Sequence, residues 1–140
     1  MLPLKIPLVA FGALMGGTSE RGTGLLRQYL SEHEHLAPRR VACLERALTH
    51  GAVVLLLDGL DEATTQIETV LRWVDEMTAA HPRLRVVLSS RPVAGVDQSA
   101  LASRGFRFLR VEPMAPSQVR RSHGCRVAPR GLSSFSSTKK

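Results

Sequence analysis

Three carboxylates crowd the end of an apolar run: Val53-Val54-Leu55-Leu56-Leu57 leads directly into Asp58-Gly59-Leu60-Asp61-Glu62. A carboxylate at the end of a buried strand is a hard oxygen donor. Asp58 is therefore the candidate metal ligand, for Mg²⁺ held directly or through water. Gly59 has no side chain, so backbone or ligand can come close. Asp61 and Glu62 are the candidate catalytic residues, since either can orient or polarise a water attacking a phosphate. A second segment, Ser89-Ser90-Arg91-Pro92, brings two hydroxyls and a guanidinium to another strand end. Ser90 and Arg91 are the candidate cofactor-binding residues, because a permanently charged guanidinium forks two donors toward oxygen anions. Each position also has a plain structural use. Asp61 or Glu62 complements a helix N-terminus, Asp58 serves in a turn, and Pro92 sets a surface turn. Three carboxylates this close repel one another, so the cluster calls for a cation.

These residues need strands and helices to carry them. Leu4–Phe11 reads as a strand, near a sheet edge because of Pro7. Gly12–Gly24 reads as a loop, and a short helix begins at Gly24 with Leu26 and Leu30 one turn apart. Pro38 opens another helix through Val41, Leu44 and Leu48, and Gly51 is placed to end it. Val53–Leu57 is apolar throughout, which predicts a strand buried on both faces. Ala63, Ile67, Val70, Leu71, Val74 and Met77 trace one face of a long amphipathic helix that His81-Pro82 stops. Leu84–Ser89 and Phe106–Val111 read as further strands, and Pro116–Arg121 as a helix start. This alternation predicts an α/β fold, a parallel sheet of three to four strands flanked by helices.

Charge is distributed unevenly. The net charge is +7, yet residues 113–140 contain six basic residues and no acid, leaving only +1 over residues 1–112. The basic excess is a property of the tail. Its Ser, Gly and Pro content predicts a disordered basic segment over residues 122–140, with no specific nucleic-acid site. Two well-separated cysteines, Cys43 and Cys125, match no metal spacing and fit a reducing, cytoplasmic setting. Lys5 alone precedes the apolar stretch Ile6–Met15, which Pro7 and Gly12 interrupt, so a signal peptide is not expected. No apolar run reaches the roughly 18 residues a membrane span needs.

The two strand-end segments together resemble the NACHT family of signal-transduction NTPases, in the wider STAND class. Leu55-Leu56-Leu57-Asp58-Gly59-Leu60-Asp61-Glu62 is similar to that family's extended Walker B, and Val87-Leu88-Ser89-Ser90-Arg91-Pro92 to its sensor strand. Phe108–Met114 resembles the following strand, and Leu2–Leu8 the strand after the phosphate-loop helix. The resemblance implies a P-loop NTPase-like domain over residues 1–121. It implies Mg²⁺ and ATP or GTP as cofactors and a nucleotide-driven switch in signalling. Asp58 would hold Mg²⁺ through water, Asp61 and Glu62 would place the attacking water, and Arg91 would read the phosphate.

The chain departs from that pattern at the phosphate grip. The family's Gly-Lys-Ser/Thr loop would precede residues 2–8. Gly17–Gly24 has the Gly-x-x-x-x-Gly frame, but Thr23 stands where the lysine belongs and Gly24 where the hydroxyl belongs. The expectation is a fragment deficient in nucleotide binding on its own. The alternatives are an inactive interaction module that docks on a homologous NTPase or on itself, and a nonfunctional truncated product. His33-Glu34-His35 lacks an evident third metal ligand, Ser89-Ser90 lacks the Gly-x-Ser-x-Gly elbow, and Trp73 is expected to be a packing residue.

Overall fold

The computed structural model describes residues 1–91 and 97–112. Among these residues three strands form the sheet: β1 (Leu2–Pro7), β2 (Val53–Asp58) and β3 (Arg85–Leu88). All pairings are parallel and the order is β1-β2-β3. Helices α1 (Leu8–Gly17), α2 (Gly22–Glu32) and α3 (Pro38–Thr49) connect β1 to β2. A 3₁₀ segment, Leu60–Gln66, and helix α4 (Ile67–Ala80) connect β2 to β3, and the short helix α5 (Gln98–Ser103) follows. The fold is α/β, as its alternation predicts. The compact unit spans Met1–Phe106.

β2 takes the centre with five consecutive apolar residues, Val53–Leu57, ahead of Asp58. β1 contains Pro3 and Pro7, which cannot donate to a ladder, and it lies at the edge as Pro7 predicts. Both crossovers step the same way across the sheet. Crossovers of one hand that step the same way place their helices on the same face. The burial follows this rule. Val53, Leu55 and Leu57 are fully buried with Ile6, in one core cluster that also takes buried residues from all five helices. Val54 and Leu56 point to the other face and lie outside that core, beside Val87, which is 55% exposed. The expectation that β2 is buried on both faces is therefore corrected. An unbroken apolar run does not distinguish a doubly covered strand from one whose helices all fall on one side.

Two further boundaries differ from expectation. The first strand ends at Pro7, and most of the expected Gly12–Gly24 loop is helical. Gly12 and Gly16 lie one turn apart on α1 and make room for Gln66. A Cβ on Gly12 would stand 3.0 Å from Gln66 Oε1, and one on Gly16 3.3 Å from Nε2. Close packing, which periodicity does not reveal, keeps these glycines inside a helix. Residues 106–111, expected as a strand, join no strand among the described residues. Their β-propensity expresses a fit to a pleated surface, and without a ladder it fixes nothing. The expected helix start at Pro116–Arg121 and the basic tail lie outside the described residues.

Other elements match their signals. Pro38 stands at the first turn of α3, and Gly51 follows its end at φ +66°. Trp73 is a packing residue: it is 2% exposed, meets Phe11 edge-on at 4.6 Å, and donates from Nε1 to Gly22 O at 2.9 Å. No helix among the described residues is long and apolar enough to cross a membrane.

The one-sided core makes a contrast that denaturation can read. Leu55→Ala, at a fully buried position, is expected to cost about 2–5 kcal/mol. Val87→Ala on the open face is expected to stay within about 0.5 kcal/mol of wild type. Equal losses in urea unfolding would show that the second face is packed as well.

Candidate functional site

In a parallel sheet the ligand-facing edge is the one where strands end at their carboxyl termini. β2 and β3 end there side by side, and the turns that leave them bind each other. Ser89 N donates to Leu57 O at 2.9 Å, and Leu60 N donates to Ser89 O at 2.9 Å. Gly59 adopts a left-handed conformation, φ +84°. An L side chain at this φ would be strained, and a Cβ would meet the Glu62 side chain at 3.3 Å. The turn sends Asp58 and Asp61 to two separate anchoring groups.

Asp58 faces Lys5 and Ser89. Lys5 Nζ lies 2.9 Å from Asp58 Oδ2. Ser89 Oγ donates to Asp58 Oδ1 and accepts from Gly59 N at 3.1 Å. The hydrogen bond from Lys5, and then that from Ser89, hold the Asp58 carboxyl below its ordinary range, and Lys5 is raised in turn. Both oxygens are engaged, although the side chain remains 48% exposed.

Asp61 is held by Arg91 and is nearly enclosed, its side chain 4% exposed. Arg91 N donates to Oδ1 at 2.9 Å and Arg91 Nε to Oδ2 at 2.7 Å. Arg91 Nη2 reaches Glu62 Oε1 at 3.3 Å. The backbone N–H of Arg91 is the largest cause of the lowered Asp61 pKa, and the guanidinium adds to it. Ser90 Oγ donates to Arg91 O at 2.9 Å and lies 3.5 Å from Asp61 Oδ1, at the limit of a hydrogen bond.

All five candidates, Asp58, Asp61, Glu62, Ser90 and Arg91, thus gather at one sheet edge. They form two linked groups, Lys5–Asp58–Ser89 and Arg91–Asp61–Glu62. Lys5 and Arg91 offset two of the three carboxylate charges from within the chain.

No family model, curated protein or solved structure matches the chain.

Two residues of this edge take parts that the sequence does not reveal. Lys5 is the only charged residue in the edge strand Leu2–Pro7. Its register opposite Leu56 puts it on the face of Asp58, two positions along. The sequence predicts Ser89 as a strand-end hydroxyl, but its bridge between Asp58 and the Gly59 amide depends on the turn. The Gly17–Gly24 segment belongs elsewhere. Thr23 Oγ1 lies 3.2 Å from His81 Nε2, and the carbonyl of Gly22 accepts from Trp73. That places the segment toward the C-terminal end of α4, whereas Asp61 precedes its N-terminus. The 14 residues of α4 span roughly 21 Å at the helical rise.

The donor set agrees chemically with Mg²⁺. Mg²⁺ commonly takes one or two protein carboxylates and completes its shell with water and phosphate oxygens, and half-exposed Asp58 can provide one. A site made of protein ligands alone does not fit: among the described residues, no group of three or more His, Cys, Asp or Glu is placed to hold a metal. His33 instead stacks on Tyr29 at 5.2 Å.

The lowered pKa values fix the sign of the pH response. Asp58 and Asp61 bind protons less readily folded than unfolded, so their contribution to stability is full above the ordinary carboxylate range. It is lost as pH falls through the lowered values. The double variant Asp58→Asn, Asp61→Asn is expected to flatten the acid limb of the urea midpoint between about pH 2 and 5. An acid limb identical to wild type would contradict the two ion pairs.

Proposed function

We propose that the chain forms the cation-and-sensor side of a NACHT-type, nucleotide-dependent switch. The supporting observation is the convergence of Asp58, Asp61, Glu62, Ser90 and Arg91 on the carboxyl ends of two adjacent parallel strands. In this reading the ligand is the triphosphate of ATP or GTP with Mg²⁺. The metal, when bound, supplies charge neutralisation for the phosphates, and Asp58 is its protein ligand. Glu62, with a side chain 51% exposed and only Oε1 near Arg91, is the carboxylate that can accept a proton from water. Asp61 fixes Arg91 through the backbone and Nε, leaving guanidinium N–H groups to meet an anion. Ser90 adds a hydroxyl at the same edge. Asp61 thus takes a positioning part in addition to the water-orienting part that the resemblance implies.

The phosphate grip is weak in this reading. Lys5 and Arg91 are already engaged by carboxylates, and Gly17–Gly24 lies toward the far end of α4. Backbone N–H groups in a glycine-rich loop provide much of a P-loop's hold on phosphate. Residues 1–140 alone are therefore expected to bind Mg-ATP or Mg-GTP with Kd above roughly 100 µM, a free energy near −5 kcal/mol. Triphosphate should be preferred over nucleoside, and Asp58→Asn should remove that preference. Calorimetry in which adenosine binds as well as Mg-ATP, or in which Asp58→Asn changes nothing, overturns the reading.

One observation favours a second reading, an inactive module that docks on a homologous NTPase. The sheet face bearing Val54, Leu56 and Val87 lies outside the core. A chain that acts by docking would retain partner capture in the Asp58→Asn variant, whereas a nucleotide switch would lose its nucleotide response.

A further inference from the structure

We propose that Lys5 is an internal counter-ion that competes with a divalent cation for Asp58, so that the strand-end site rests closed and opens when Lys5 is displaced. The inference rests on the reading of Asp58 as a cation ligand.

The geometry assigns Lys5 this part and withholds it from Arg91. Lys5 and Asp58 come from neighbouring strands in fixed register, Lys5 opposite Leu56 and Pro7 opposite Asp58. Side chains two positions apart on a strand share a face, so β1 aims Lys5 at the carboxylate beside Pro7. Its Nζ, 2.9 Å from Oδ2, occupies space that a metal ion or its bound water would need. The ammonium repels a second cation at that distance. The other oxygen carries the Ser89 hydroxyl, so Oδ2 is the oxygen for which the two cations compete.

Lys5 is also the easier cation to remove. Its side chain, about as exposed as that of Arg91, makes a single ion pair among the described residues. Arg91 is tied to Asp61 through its backbone and Nε, and to Glu62 through Nη2. A long lysine stem can swing its charge into water at little cost, because exposed ion pairs contribute little to stability. Arg91 thus anchors the edge while Lys5 gates it. Displacement by a metal would free the ammonium beside the bound anion, so that cation binding and anion binding reinforce each other.

The probe is Mn²⁺, followed by electron paramagnetic resonance of the free ion at low salt. The proteins are the full 140-residue chain and its Lys5→Met, Lys5→Arg, Asp58→Asn and Lys5→Met/Asp58→Asn variants, each checked for folding by circular dichroism. Lys5→Met keeps the stem and removes the charge. It is expected to bind Mn²⁺ about three- to fivefold tighter than wild type, the range an exposed ion pair can provide. Lys5→Arg should match wild type, and Asp58→Asn should cancel the gain. Equal affinity in wild type and Lys5→Met, both lost with Asp58→Asn, overturns the inference and leaves Asp58 a cation ligand. Mn²⁺ affinity indifferent to Asp58→Asn in both backgrounds removes the cation reading of Asp58, and the inference with it.

Discussion

The arrangement depends on β2 being paired on both sides. It holds β1 through six register positions and β3 through four, and its C-terminal residue is Asp58. Everything at the candidate site is placed relative to that strand. Lys5 reaches Asp58 because β1 is in register with β2. Ser89 reaches it because β3 ends one step away and the two exit turns exchange backbone hydrogen bonds. If β2 shifted by one residue, Asp58 would change faces and both partners would be lost.

The helices secure the strand from one side only. Val53, Leu55 and Leu57 anchor it in a core built from all five helices, while Val54 and Leu56 remain outside that core. Asp58 continues the second series. The carboxylate accordingly stands on the open face, where a long side chain such as Lys5 has room to move. Asp61 lies beyond the turn and is almost enclosed, with Arg91 fixed against it. The same edge therefore holds one ion pair on a half-exposed carboxylate and one on an enclosed carboxylate. The difference follows from which face each residue inherits.

Much of this was legible in the residues. The 3.6-residue spacing of Val70, Leu71, Val74 and Met77, the Pro38 start and Gly51 stop of α3, and the run from Val53 to Asp58 each named its element. The acidic strand end and the Ser-Ser-Arg segment were legible as neighbours, because parallel strands present their ends together. Three features were hidden because each depends on a partner distant in sequence. Gly12 and Gly16 look like loop residues until Gln66 lies across them. β2 looks doubly buried until the strand order shows both crossovers falling on one side. The Lys5–Asp58 pair needs strand register, which composition and periodicity do not supply.

The parallel pairings also govern the order in which the molecule can assemble. Residue 2 meets residue 53 and residue 54 meets residue 85, so each ladder closes a long loop before it gains a hydrogen bond. Such non-local closure slows folding, whereas the intervening helices form from nearby residues. The bond from Ser89 to Asp58 requires β3, the last strand among the described residues. Lys5 can meet Asp58 once β1 and β2 pair, but the Ser89 bond to Asp58 and the Arg91–Asp61 pair wait until the sheet is complete. In kinetic terms, the closed ion-pair edge is a late event: it marks a chain that has finished folding.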